Sequence, residues 1–162
     1  MGDCCFTVAC IPLWSALALV GSMCSRADDF EGRRMKRSSI EFLIGWLDAL
    51  RRNDRETLTA RLDPDVVWQG LREEWACHGP EEVVDMFTGQ RDAYGEIEAI
   101  ELIGGDRHAI LHAYGGDLVA VEDLALPDGI YNVFALEDGR VTRIDDFADR
   151  SQALQAAQVE GR

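Results

Sequence analysis

Lysine is nearly missing from this chain. Lys36 is the only one among 162 residues, and 16 basic side chains stand against 30 acidic ones for a formal net charge of -14. A surface so short of cations repels phosphate backbones and anionic membranes, which argues against nucleic acid as a partner. Charge of either sign is missing from Cys4 to Cys24, a stretch that also holds four of the five cysteines. Beyond it only Cys77 remains, so a disulfide framework has no support. The adjacent Cys4 and Cys5, with no His or second close pair following, fit no zinc motif. The glycine pairs Gly104-Gly105 and Gly115-Gly116 lack the strand, loop and helix context of a phosphate-cradling loop. Repeats and low-complexity segments are also absent. What is present, 47% hydrophobic and 28% charged residues, fits one ordinary globular domain.

Residues 4–24 are long enough to cross a bilayer as a helix, and a secretory apolar region could also be cut from them. Only Met1, Gly2 and Asp3 precede the run, without the positive charge a signal peptide carries. Arg26, Arg33, Arg34, Lys36 and Arg37 follow it and would keep that side cytoplasmic if the run were an anchor. Met23 stands where a lipoprotein signal needs a small residue before Cys24. The reading adopted takes residues 1–34 as an N-terminal extension upstream of a start at Met35, and residues 35–162 as the domain. Cytoplasmic location is then expected, and membrane contact or secretion only if residues 4–24 are a real anchor or leader. Removing residues 1–34 changes the net charge only to -13.

From Met35 the pattern is helical first and strand-like later. Ser38-Ser39-Ile40-Glu41 reads as a capping box, followed by Ile40, Leu43, Ile44, Leu47 and Leu50 at helical spacing, with Phe42 and Trp46 widening the apolar face. A short second helix carries Leu58 and Leu62 and ends at Asp63-Pro64-Asp65. Val66-Val67-Trp68-Gln69 is a short strand, and Gly70 to Gly79 a loop containing Trp75, Cys77 and His78. Pro80 with Glu81, Glu82 and Asp85 suits a helix start, with Val83, Val84, Met86 and Phe87 facing the core. Ile97 to Ile103 and Ala109 to Tyr114 are strand-like, and residues 117–129 are irregular. Ile130 to Leu136, Asp138-Gly139 and Val141 to Phe147 form a hairpin on a type I′ turn. A last helix covers Ser151 to Val159.

Helices, one embedded strand and an antiparallel meander make an α+β order with helices on one face of a curved sheet. The amphipathic first helix with Trp46, the run Asp63-Pro64-Asp65-Val66-Val67-Trp68, His78-Gly79-Pro80-Glu81-Glu82-Val83, and Asp138-Gly139-Arg140-Val141 leading to Ile144-Asp145-Asp146-Phe147 together resemble the SnoaL-like branch of the nuclear transport factor 2-like superfamily. The resemblance spans roughly Ser39 to Ala157. It implies a cone-shaped α+β barrel with a pocket between helices and sheet, often dimeric through the outer sheet face. Its members include ketosteroid isomerases, limonene epoxide hydrolases, dehydratases, polyketide cyclases and proteins without known catalysis.

Acid–base work in such a pocket needs a carboxylate or imidazole of tuned pKa and a facing donor. The resemblance places a carboxylate on the closing strand, at Asp146, where a Trp-Arg-Asp-Tyr-like pattern reads Ile144-Asp145-Asp146-Phe147. With a two-residue turn Tyr131 falls opposite Asp146, sharing a face with Val133 and Ile144. The other face, Phe134, Leu136, Val141 and Phe147, is more apolar, so parity leaves Asp145 and Asp146 both open. His112 and Tyr114 share one face of their strand and are the candidate donors. That strand carries no Arg-x-Asp pair, which argues against epoxide hydrolysis. Trp46, Trp68 and Tyr131 are candidate ligand-lining residues, with His78 at the mouth. Each has a plainer reading: a solvated carboxylate or cap, a histidine at an outer-face contact, tryptophans that fill a core. Cys77 has no base placed to activate it. His108 and His112 lie too far apart along a strand to share a metal, so no metal and no cofactor is expected. The expectation is a homodimer binding a small apolar organic molecule, either catalysing its isomerisation, dehydration or cyclisation without a cofactor or only holding it. An intact mass of the endogenous protein checks the start: the expected mass begins at Met35, and a mass beginning at Met1 refutes that placement.

Overall fold

A computed structural model describes residues 30–89, 99–115, 126 and 128–158, with side chains from Ser38 onward. The apolar stretch at residues 4–24 and the irregular segment at 117–125 lie outside the described residues.

The first helix, α1 (Phe30–Arg51), starts before Met35 rather than at the expected capping box. Its early residues Glu31, Arg33, Arg34, Met35 and Lys36 are good helix formers, so nothing there stops the helix. Ser39 therefore caps nothing; buried, it donates its hydroxyl to the Gly105 carbonyl at 3.0 Å. The buried stripe runs Ser39, Leu43, Trp46 and Ala49, which centres the inward face on Trp46 and leaves Ile44 exposed. Helix α2 (Arg55–Ala60) is capped by the Asp54 side chain on the Thr57 N–H. Strand β1 (Leu62–Gln69) begins earlier than expected and runs through Pro64, where its register is irregular and a missing N–H is tolerated. Part of the expected loop is a strand, β2 (Ala76–His78), and α3 (Gly79–Gly89) follows with Val83 and Val84 buried. Strands β3 (Ala99–Gly104), β4 (His108–Tyr114), β5 (Ile130–Glu137) and β6 (Arg140–Phe147) form the meander, and α4 (Arg150–Ala156) closes the chain.

The strands make one open six-stranded sheet in the order β2-β1-β6-β5-β4-β3, with β1 parallel to β6. α1 and α3 cover its inner face, where Leu43, Trp46, Val66, Trp68, Val83, Leu111, Phe134 and Ile144 form the main core. On the outer face α4 presses Ala153 and Ala157 against Ile110, Tyr131 and Val133. The chain thus covers part of its own outer face. Any dimer of the kind the resemblance implies would have to form against a surface that includes α4.

The β5–β6 hairpin is where parity is decided. Asp138 and Gly139 both have positive φ, 48° and 79°, as a type I′ turn requires. Next to the turn Leu136 pairs with Val141, but beyond it Ala135 pairs with Arg143, so Thr142 is an extra residue on β6. The expected pairing of Tyr131 with Asp146 is overturned by this bulge: Tyr131 faces Phe147, and Asn132 faces Asp146. At the entry to β5, Gly129 has φ 79°, and a Cβ there would lie 2.1 Å from the Ala113 carbonyl oxygen. Gly129→Ala is expected to cost about 2 kcal/mol or more, read as a lowered urea midpoint with unchanged slope.

Candidate functional site

Partners in a ladder share a face and neighbours along a strand alternate, so the pairings assign every candidate to a side. One inner row runs Leu102, Leu111, Asn132, Asp146; the next runs Ala109, Phe134, Ile144, Trp68, Cys77. An outer row runs Glu101, His112, Tyr131, Phe147. The sheet therefore separates the expected partners. Asp146 and Trp68 lie on the helix-covered side, while His112 and Tyr131 lie beneath the α4 side, and Tyr114, two residues on from His112, shares that outer side. The open choice between the two aspartates closes as well. Asp145 points outward and is gripped by Arg143 through contacts of 2.7 to 3.0 Å, whereas Asp146 points into the core.

Asp146 is the only buried acidic residue among the described residues. Trp68 Nε1 donates to its Oδ1 at 3.0 Å and Asn132 Nδ2 donates to the same oxygen at 2.5 Å. No described residue bonds to Oδ2, and at 9% exposure the residue is not sealed off. Burial raises the carboxyl to about 7, against the lowering effect of the two donors, with the Asp145 charge adding to the rise. Such a group changes its proton near neutrality. One oxygen is held in place and the other has no hydrogen-bond partner among the described residues.

Around it the inner face is aromatic. Trp46 touches Phe42, Phe87 and Phe134 with ring centroids 5.6 to 6.4 Å apart, and Trp68 lies 6.3 Å from Phe87. The Trp46 indole N–H is buried with no hydrogen-bond partner among the described residues. Cys77 packs half-buried against this core, and burial, with the Glu82 and Asp146 charges, pushes its thiol up and away from the thiolate.

The remaining candidates stand elsewhere. His78 is exposed and pairs with Val67, out of step with Trp68; its backbone N–H is accepted by Glu82. It borders an open cleft of about 590 Å³ whose lining includes Pro64, Glu81 and Arg140 but none of the Asp146 group. Trp75 lies beneath the Arg72 guanidinium. His112 places Nε2 2.6 Å from the Asp128 carbonyl and Nδ1 3.4 Å from Glu101, and stacks on Tyr131 at 3.9 Å. Tyr114 stacks on the same imidazole at 5.1 Å. Asn132 was not singled out from the sequence. Its signal was there, since a lone amide between Tyr131 and Val133-Phe134 is unusual in a buried strand.

Comparison with solved structures agrees with the architecture. An NTF2-like protein from Burkholderia xenovorans LB400 superposes with a TM-score of 0.51 at 17% identity, covering 75% of this chain and 96% of that one. An LEH-like epoxide hydrolase from M. tuberculosis gives 0.48 at 18% identity over 76% and 94% of the two chains. No family model and no curated protein matches the sequence. The chain has the nuclear transport factor 2-like α+β fold; identities this low speak for the fold alone.

The Asp146 carboxyl makes a thermodynamic prediction. Its folded value lies above the unfolded one, so between about pH 4 and about pH 7 the native state holds a proton that the unfolded chain has released. Stability therefore falls as pH rises through that window, by about 1.4 kcal/mol per unit from this group. Asp146→Asn keeps an acceptor for both donors and is expected to flatten the slope and to be more stable than the wild type at pH 8, read by urea unfolding at several pH values.

Proposed function

We propose that the inner face around Asp146 binds a small, largely apolar organic molecule and that Asp146 exchanges a proton with it, as an isomerase, dehydratase or cyclase does without a cofactor. The observation that carries this reading is the buried carboxyl with one oxygen held by Trp68 and Asn132, the other without a partner among the described residues, and a proton affinity near neutrality. A base in this position works best when its pKa lies near the working pH. The aromatic surround keeps water from competing and favours an apolar partner.

The donor to a developing oxyanion cannot be His112 or Tyr114, which lie across the sheet from Asp146. Trp46 takes that part, because its buried N–H has no acceptor among the described residues and α1 covers the face that carries Asp146. Trp68 serves as a positioning residue for the carboxyl rather than as a ligand contact alone. A homodimer is retained as a proposal, formed on the outer side against a surface that includes α4.

The test needs an apolar carbon acid whose reaction requires only a base. With 5-nitrobenzisoxazole, kcat/KM is expected to rise with pH through about 7 and level off as Asp146 loses its proton. Asp146→Asn is expected to lower it by about 100-fold or more while the probe still binds. Wild-type turnover that Asp146→Asn leaves unchanged overturns the proposal. Probe binding without any turnover supports instead a module that only holds its ligand.

A further inference from the structure

We propose that His112 is a proton-dependent clasp for the C-terminal helix: doubly protonated, it links the Asp128 carbonyl to Glu101, and through Glu101 to Arg150 at the start of α4. His112 Nε2 lies 2.6 Å from the Asp128 backbone carbonyl, which can only accept, so that nitrogen carries a hydrogen. Nδ1 lies 3.4 Å from Glu101 Oε2. Arg150 grips this carboxylate at both oxygens, 2.5 and 3.0 Å away, and with His112 holds Glu101 below the usual carboxylate range. An ionised Glu101 also only accepts. With acceptors on both sides, the imidazolium satisfies both contacts, whereas the neutral ring turns a lone pair toward a carboxylate.

The surroundings suit a cation. His112 is only 7% exposed, and its ring lies nearly parallel to that of Tyr131, 9° apart, with Tyr114 stacked beside it. The groups that face it are Glu101 from β3, Tyr114 from β4, Tyr131 from β5, Asp128 ahead of β5, and Arg150 from α4 by way of Glu101. Arg150 also reaches the Tyr131 hydroxyl. Farther along the outer face, Asp145 is closed on Arg143. Arg150 is the first residue of α4, and the apolar contacts of the helix, Ala153 and Ala157, follow directly. The clasp therefore sits where the helix meets the sheet.

Two pH limits follow. Glu101 is depressed, so its contribution is present above the ordinary carboxylate value and is lost as acid protonates it. At the other limit, loss of the second proton from His112 sets its lone pair against Glu101. Helix α4 is held most tightly between the two.

The test uses the full chain. Hydrogen exchange of the α4 amides, corrected for the intrinsic rate, is compared at about pH 5.5 and about pH 8.5. The β4 amides serve as reference for global unfolding, and Asp146→Asn supplies a background without the pH-dependent core carboxyl. Protection of α4 relative to β4 is expected to fall by about 3- to 10-fold at the higher pH, in step with loss of the second ring proton in the nitrogen-15 spectrum of His112. His112→Phe keeps the ring stack and is expected to remove the pH dependence; Glu101→Gln is expected to lower protection at both pH values. The proposal is overturned by relative protection that does not change with pH, by a His112 ring that holds one proton at the lower pH, or by Glu101→Gln retaining the wild-type response. The wild-type measurements decide the matter even if a variant fails to fold.

Discussion

The β6 strand carries one residue more than β5 can pair with, and the position of each chemically active side chain follows from that bulge. Side chains alternate along a strand, so a slip of one residue exchanges the two faces. Without Thr142 in excess, Asp146 would stand opposite Tyr131 and beside His112. With it, Asp146 stands opposite Asn132, next to Trp68 and under the helices, and the histidine row belongs to α4. The same slip sends Asp145 outward to Arg143. Two adjacent aspartates thus acquire opposite roles, one solvated and ion-paired, the other enclosed and exchanging its proton at about pH 7.

Burying a carboxyl among aromatic rings is unfavourable unless it is hydrogen-bonded or gives up its charge. Asp146 does both in part. Its Oδ1 takes two donors, and burial moves its proton equilibrium toward neutrality. A merely structural polar group would be expected to have both oxygens occupied; here the second has no partner among the described residues. Stability is sacrificed at neutral pH to keep an ionisable group in this place, which is a common compromise at sites that handle protons. The orphaned Trp46 N–H is a second unfavourable feature on the same face.

The outer face solves a different problem with similar residues. Glu101, His112 and Tyr131 lie in a straight row across three strands, and each is occupied by another group. Arg150, Asp128 and the two tyrosine rings take up what the row offers, so its chemistry goes into holding α4 to the sheet. The contrast with the inner face is one of satisfaction: every member of the outer row has a partner, whereas Asp146 Oδ2 has none among the described residues.

Much of the architecture could be read from the chain alone, because it depends on local pattern. The spacing around Leu43 and Trp46 indicates a helix, Pro80 with its following carboxylates marks the start of another, and Asp138-Gly139 marks a hairpin turn. The order of these elements, with the run from Asp63 to Trp68 and that from His78 to Val83, is enough for the resemblance to the fold. A carboxylate on the closing strand was likewise recognisable, but not whether Asp145 or Asp146 faces inward. Nor were the neighbours of Asp146. A bulge at Thr142 has no local sequence signal strong enough to distinguish it from regular pairing, and the partners it selects, Asn132 and Trp68, come from other strands. Ser39 shows the same limit, since its hydroxyl could cap a helix or reach Gly105, and only packing chooses. Sequence determined which elements form and in what order, because periodicity and turn chemistry are short-range; tertiary structure decided which face each polar side chain occupies, because that depends on register between strands distant in the chain.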